Sequence, residues 1–253
     1  MLHEKMNIVV IIQARTDSRR FPRKVLSKIE GKPLLWHVID RMKKIKHAKI
    51  IVATTNRKID DEIIKIAKNS NVEYFRGKKN DVLDRFYKAA MKFNANIIIR
   101  ITADCPLIDP RESNKVLNKF LGGNFDYVTS DDNTYPKGLD TECFSFNVLE
   151  KAWKEAKLKS EREHVTPYIW KNPKIFRKGI VKLQNKNLSS QRWVVDYEND
   201  LAFVRKIYSR LYKKKPNFHI LDILNILKKE PSLSKINSGH DPNEGYIISL
   251  KND

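Results

Sequence analysis

Hydrophobic and polar positions along the first half of the chain follow two alternating periods. The run "NIVVIIQ", Asn7–Gln13, is continuously apolar, the pattern of a parallel strand buried on both faces. It is followed by "PLLWHVIDRMKKI", in which Leu34, Trp36, Val38, Ile39, Met42 and Ile45 supply one apolar face of a helix opened by Pro33. "AKIIVATT" predicts a second strand, "KIDDEIIKIAKNS" a helix with acids in its first turn, and "VEYFRG" a third strand. Asn80 or Asp81 is placed to cap the helix "VLDRFYKAAMKF". "ANIIIRITADCPLI" predicts a fourth strand whose core ends at Thr102, and Asp109-Pro110 starts the next helix.

Strand–helix alternation of this kind predicts an α/β fold with a doubly wound, mostly parallel sheet. In such sheets a ligand crevice lies beyond the carboxyl ends of the strands, where strand order reverses. With the order 3-2-1-4, the loop "QARTDSRRFPRK" after strand 1 and "TADCPLI" after strand 4 face each other across that crevice. Beyond residue 120 the alternation weakens. "FDYVTS", "TECFSF", "KIFRKGIVKLQ" and "RWVVD" predict further strands, with the helix "SEREHVTPYIWKN" before the last two. They suit a mixed extension of the sheet, a lobe or a dimer arm. Helices are expected near 198–213 and 219–229, and the tail from Ser238 as a surface strand or loop.

Composition narrows the class. Hydrophobic residues make up 41% of the 253 and charged residues 32%, as in a soluble globular protein, and the apolar runs are too short to span a bilayer. The N-terminal "MLHEKMNIVVII" does not resemble a signal peptide, and the two cysteines, Cys105 and Cys143, imply neither a disulfide framework nor a metal site. The expectation is a cytoplasmic protein. The net charge of +20 favours anionic partners. Most of it is diffuse lysine (35 Lys against 15 Arg), which suits a solvated surface. The exception is local: Arg15, Arg19, Arg20, Arg23 and Lys24 fall within ten residues of the first crevice loop.

A basic loop facing Asp104 suits a nucleoside triphosphate with Mg²⁺: Arg and Lys hold phosphate oxygens, and a carboxylate holds the hard cation. There is no GxxxxGK[ST] and no GxGxxG, so side chains must hold the phosphates. Asp196, at the end of "RWVVD", could pair with Asp104 on the metal; Asp200 serves equally well as a helix cap. Arg162 and His164 stand near a helix start and could meet an anionic substrate. Asp140 and Glu142 share a strand face, where acids could bind sugar hydroxyls or simply face solvent.

Seven blocks in order carry a resemblance: "IIQARTDSRRFPRKVL", "VATT", "RGKKNDVLDRFYKAA", "RITADCPLIDP", "YPKGLDTECFSF", "REHVTPYI" and "RWVVDYENDL". Together, over about residues 7–210, they resemble the SpsF-type cytidylyltransferases of spore-coat polysaccharide biosynthesis, relatives of the acylneuraminate and 3-deoxy-manno-octulosonate cytidylyltransferases. The resemblance implies a Rossmann-like nucleotidyltransferase fold of the glycosyltransferase-A type. It implies Mg²⁺-dependent transfer of CMP from CTP to an anionic acceptor, with release of pyrophosphate.

By the same resemblance Arg15, Arg20 and Lys24 hold the triphosphate, with Lys24 meeting charge on the α-phosphate. Gln13, Ala14, Ser18, Thr54, Thr55, Arg76, Gly77 and Thr102 line the nucleotide pocket. Asp104 and Asp196 ligate the metal. Asp140, Glu142, Arg162, His164 and Arg192 fall to the acceptor side. The implied organisation is one domain over 1–253: a nucleotide-binding half at 7–120, an acceptor-binding or dimer-arm region at 121–197, and C-terminal helices and tail at 198–253. A homodimer is implied as well, with no membrane partner and no specific nucleic acid.

Two positions depart from the family's loop, which has glycine where this chain has Asp17 and Arg23. Asp17 would repel phosphate unless Arg19 or Arg20 neutralises it. Replacing Asp104 or Asp196 by Asn is expected to leave stability intact or to raise it by relieving like-charge repulsion. Two other readings compete. A nucleotide-sugar glycosyltransferase uses a similar fold, but Asp-x-Asp is missing from "TADCP". An RNA-binding protein would suit the charge, but its basic stretches lack interleaved aromatics.

Overall fold

The computed structural model describes residues 6–184, 186–240, 244–251 and 253. Strand β1 (Ile8–Gln13) opens the chain, followed by the small antiparallel hairpin β2 (Lys28–Ile29) and β3 (Lys32–Pro33). Helix α1 (Leu34–Met42), β4 (Ala48–Thr55), α2 (Asp61–Asn69), β5 (Glu73–Gly77), α3 (Val82–Lys92), β6 (Ile97–Thr102) and α4 (Pro110–Gly122) complete the alternating half. Then come β7 (Tyr127–Ser130), β8 (Glu142–Ser145), α5 (Phe146–Glu155), α6 (Lys159–His164), α7 (Pro167–Trp170) and β9 (Lys178–Val181). Helices α8 (Glu198–Leu211), α9 (Ile220–Lys229) and α10 (Glu244–Leu250) follow.

The main sheet has the strand order β5-β4-β1-β6-β8-β7-β9. Strand β1 lies between β4 and β6, parallel to both, so the order reverses at β1/β6 as the alternation predicts. Strand β8 is the mixed extension: it runs antiparallel to both β6 and β7, and β9 pairs parallel with β7.

The apolar run of β1 is buried from both sides. Val10 and Ile12 pack into the core beneath α1, α2, α4, α8 and α9; Val9 and Ile11 pack into the opposite core beneath α3 and α5. Each such fully buried side chain contributes roughly 1.5–3 kcal/mol. The site therefore stands at the end of a strand whose centre is buried from both sides.

Local signals act as the sequence predicts at two helix starts. The Asp81 side chain accepts from the Asp84 N–H at 3.0 Å, and Asp109 accepts from the Arg111 N–H at 2.9 Å, with Pro110 opening α4. Three expectations need correction. The segment "RWVVD" is no sheet strand; it meets the rest through a single bridge, Lys137 to Arg192. Its backbone is satisfied by loops instead: Trp193 N–H donates to Lys137 at 2.7 Å and Val195 N–H to Asp104 at 2.8 Å. The helix "SEREHVTPYIWKN" is two short ones, α6 and α7. Val165 sits between them at φ +75°, and Pro167 has no N–H to continue the ladder. The tail holds a helix, α10, packed on α6.

Candidate active site

The first crevice loop is fastened before its cations are placed. Asp60, fully buried at the start of α2, accepts from the Thr16 N–H at 2.8 Å, the Thr16 hydroxyl at 2.7 Å and the Thr55 hydroxyl. Sequence reasoning missed Asp60, because "KIDDE" reads as acids of a helix first turn. Further on, the Arg23 N–H donates to the Thr16 carbonyl at 2.7 Å, closing the loop, and Arg23 itself sits at φ +59°. A left-handed backbone favours glycine, which is the residue the family places there. The turn Lys24–Leu26 then swings Lys24 inward.

Lys24 lands between the two acids. Its ammonium donates to Asp104 Oδ2 at 2.7 Å and to Asp196 Oδ1 at 2.8 Å, with the side chain 9% exposed. Burial pushes the Lys24 pKa down, but the two carboxylates override it and hold it above its ordinary value. Burial likewise pushes the Asp104 carboxyl up, and Lys24 pulls it well below the usual carboxylate range. The expected like-charge repulsion between the acids is thus cancelled by the cation between them. Removing either acid strips a partner from a buried ammonium, which costs stability rather than adding it.

Asp196 is held from three sides. Its Oδ1 also accepts from Arg20 at 2.7 Å, and its Oδ2 accepts from Arg192 at 2.8 Å. Arg192 is anchored by Asp200 at 3.0 Å, and Asn237 bonds both the Arg192 carbonyl and Asp200. Asp200 accepts in turn from the Asp196 and Tyr197 N–H groups at 2.9 and 3.0 Å. It is at once a helix cap and the brace behind Asp196. The other end of Arg20 meets Glu244 of α10 at 2.7 Å, and Glu244 accepts from the Tyr197 hydroxyl at 2.5 Å.

Asp17 is neutralised chiefly by two residues that the sequence does not single out, Lys79 and Arg57. Its partners are Lys79 at 2.6 Å, Arg57, and Arg15 at 3.8 Å, rather than Arg19 or Arg20. Burial would raise its pKa, but Lys79 and Arg57 lower it. Arg15 makes only long ion contacts, to Asp17 and to Glu163 at 3.6 Å, and is about one-third exposed to the crevice.

Gln13 and Thr102 end the neighbouring strands β1 and β6 in register. The Gln13 Oε1 and Thr54 Oγ1 atoms are buried without a hydrogen-bond partner among the described residues. The Ala14 N–H bonds Ala53, the Ser18 hydroxyl accepts a long contact from Phe21, and the Thr102 hydroxyl touches Cys105. Arg76 latches the Thr55 and Arg57 carbonyls and Asp61. A Cβ on Gly77 would come within 3.1 Å of Arg85, whose fully buried guanidinium has no hydrogen-bond partner among the described residues; burial pushes its pKa down to about 10.

The residues assigned to the acceptor side do not converge. Glu142 is spent inside the sheet, accepting from Tyr127 at 2.5 Å, Thr166 at 2.6 Å and Arg100. Arg162 clamps Asp81 through two bonds of 3.0 and 2.7 Å and ties α6 to α3. Asp140 folds back on its own loop, to the Gly138 N–H at 2.9 Å and Lys137 at 3.3 Å. Gly138 is required there: its φ is +106°, and a Cβ would lie 2.5 Å from the Val194 nitrogen. His164 contacts Ser249 at 2.9 Å; burial and the nearby Arg100 push its pKa down to about 4. Arg192 stands behind Asp196, bonded to its Oδ2.

The crevice therefore offers three cations and two acids at one point beyond β1 and β6, with no conventional phosphate loop. A family model described as "Cytidylyltransferase" matches residues 9–235 of this chain. The chain belongs to the cytidylyltransferase family. It is similar to an uncharacterized protein of Methanocaldococcus jannaschii, 40% identical, covering 92% of this chain and 95% of that one. The spore coat polysaccharide biosynthesis protein SpsF of Bacillus subtilis is 27% identical, covering 89% and 95%. A solved cytidylyltransferase structure from Leptospira borgpetersenii superposes with a TM-score of 0.86 at 29% identity, covering 93% of this chain and all of that one. Membership settles the class as a CTP-dependent nucleotidyltransferase and sets aside the glycosyltransferase and RNA-binding readings.

For this cytidylyltransferase the donor chemistry at the crevice fits Mg²⁺. Asp104 and Asp196 present hard carboxylate oxygens to one point, now taken by the Lys24 ammonium. No group of three or more His, Cys, Asp or Glu among the described residues could hold a metal. A pair of acids suffices for an ion that takes its remaining ligands from phosphates and water. Among the described residues, no helix is long and apolar enough to cross a membrane.

Proposed function

We propose that this enzyme transfers CMP from CTP to an acidic sugar or similar anionic acceptor and releases pyrophosphate, with Asp104 and Asp196 holding Mg²⁺. The observation that carries the reading is the Lys24 ammonium lodged between these two carboxylates, with Arg20 on the second. The bound metal would neutralise triphosphate charge. Lys24 meets the negative charge that grows on the α-phosphate, and Arg20 and Arg15 hold the departing pyrophosphate. An acceptor that is already ionised needs no strong base, and His164, neutral at pH 7 and engaged with Ser249, is not placed as one. The link of the SpsF relative to polysaccharide biosynthesis favours a sugar acceptor. On the family's pattern the enzyme is a cytoplasmic homodimer.

The test is pyrophosphate release with CTP and Mg²⁺ over a panel of acidic sugars, phosphorylated and phosphonate acceptors, with ATP, GTP and UTP as controls. Release that requires CTP, metal and one acidic acceptor supports the reading. Equal release with UTP, or none with any acidic acceptor, refutes it.

A further inference from the structure

Three of the four oxygens of the two metal-site carboxylates are already bonded to a cation of the chain, while, among the described residues, Asp104 Oδ1 has only a 3.6 Å contact from the Cys105 thiol. Asp196 Oδ1 takes Lys24 and Arg20, Asp196 Oδ2 takes Arg192, and Asp104 Oδ2 takes Lys24. A divalent ion shared by both acids needs an oxygen of Asp196, and both of those carry a cation of the chain. To bridge the two acids it must expel the Lys24 ammonium, which is buried and, among the described residues, has no acceptor besides these two acids. An ammonium left buried and unpaired is strongly unfavourable, as is a dication placed beside it. A triphosphate changes both conditions together. It gives Lys24 and Arg20 new acceptors, and it brings compensating negative charge.

We propose that Lys24 is a placeholder for the divalent cation: the free enzyme excludes the metal from Asp104 and Asp196, and the ion is admitted only together with the nucleotide that draws Lys24 away. This rests on the reading above that the two acids form the metal site. It adds the binding order and gives Lys24 a role before the chemical step. Arg192 has a different part. Braced by Asp200 and Asn237, it occupies the far oxygen of Asp196 and leaves Oδ1 as the exchangeable one. The coupling is reciprocal, so the metal must tighten nucleotide binding by the same factor as nucleotide tightens the metal.

The experiment is equilibrium dialysis of the full chain against Mn²⁺, measuring metal retained with and without CTP, for wild type and Lys24→Ala. Without CTP, wild type is expected to retain Mn²⁺ at least about tenfold more weakly than with CTP. Lys24→Ala is expected to bind free Mn²⁺ at least about tenfold more tightly than wild type, because a unit charge has left hydrogen-bonding distance of the site. Adding Asp104→Asn to Lys24→Ala must abolish that gain. Equal free-metal affinity of wild type and Lys24→Ala overturns the proposal. So does a gain that survives Asp104→Asn, or wild type binding Mn²⁺ equally well without CTP. Should Lys24→Ala fail to give a cooperative thermal transition, Lys24→Met fills the same space without the charge and takes its place. The free-metal comparison uses no turnover. Failure of the pyrophosphate assay would strike the proposed reaction alone, and equal free-metal affinities would strike the placeholder alone.

Discussion

Two largely buried ionic clusters adjoin β6, one through Arg100 within the strand and one through Asp104 just beyond its end, and they are built on different plans. Around Glu142 the acid is surrounded by one guanidinium and two neutral hydroxyls, from Arg100, Tyr127 and Thr166, and its hydrogen-bonding capacity is used up within the fold. Around Asp196 three cations converge on one carboxylate, and each is shared with a further acid: Lys24 with Asp104, Arg20 with Glu244 and Arg192 with Asp200. The first cluster is complete and has no need of a ligand. In the second, each cation is divided between two acids, so an arriving anion competes for cations that no single acid holds alone. Buried charge in an enzyme is thus of two kinds, told apart by whether donors and acceptors balance inside the fold.

The contrast is tested first at Lys24. Lys24→Ala should lower kcat about 10²–10³-fold while changing nucleotide affinity far less, since its charge is needed most in the transition state. Steady-state kinetics with CTP read this directly; near-normal kcat with raised KM would make Lys24 only an anchor.

The Glu142 cluster should respond in stability instead. Glu142→Gln leaves the buried Arg100 without its counter-charge and should cost about 3 kcal/mol. At roughly 2–4 °C per kcal/mol for a chain of this size, the thermal midpoint should fall clearly. An unchanged midpoint would mean that Arg100 and Glu142 do not form a balanced internal pair.

The smallest effect concerns His164, beside the same cluster. Its pKa is pushed from an ordinary 6.5 to about 4, so the folded state disfavours the proton. Above about pH 6.5 both folded and unfolded states are neutral, and its contribution is complete. As pH falls from 6.5 toward 4 the unfolded chain takes up a proton that the fold refuses, so stability drops by at most about 1.4 kcal/mol per pH unit. Thermal midpoints measured down this range should fall more steeply for wild type than for His164→Gln; parallel curves would place the acid sensitivity elsewhere.

Sequence legibility divides at the same place. The order of β5, β4, β1 and β6, the crevice beyond β1 and β6, and the meeting of the basic loop with Asp104 all follow from period and connection rules. These features are local or set by chain topology, which is why they can be read in advance. The residues that fasten the site cannot. Asp60 looks like a helix-start acid, Arg57 and Lys79 look like surface charge, and Glu244 lies in a tail read as loop or strand, yet each closes an ion pair or hydrogen bond within the site.

The sequence by itself determined the fold class and, through its motif blocks, the family, and it singled out Lys24, Asp104 and Asp196 as residues to watch. Only the tertiary structure decided what those residues do to one another. It put the Lys24 ammonium between two acids 92 positions apart in the chain, where repulsion had been expected. It also gave Glu142 and Arg162, expected on the acceptor side, full sets of internal partners. The physical reason is that a charged side chain's role depends on its nearest opposite charge and on its burial, and both are set by contacts between distant segments that no local pattern encodes.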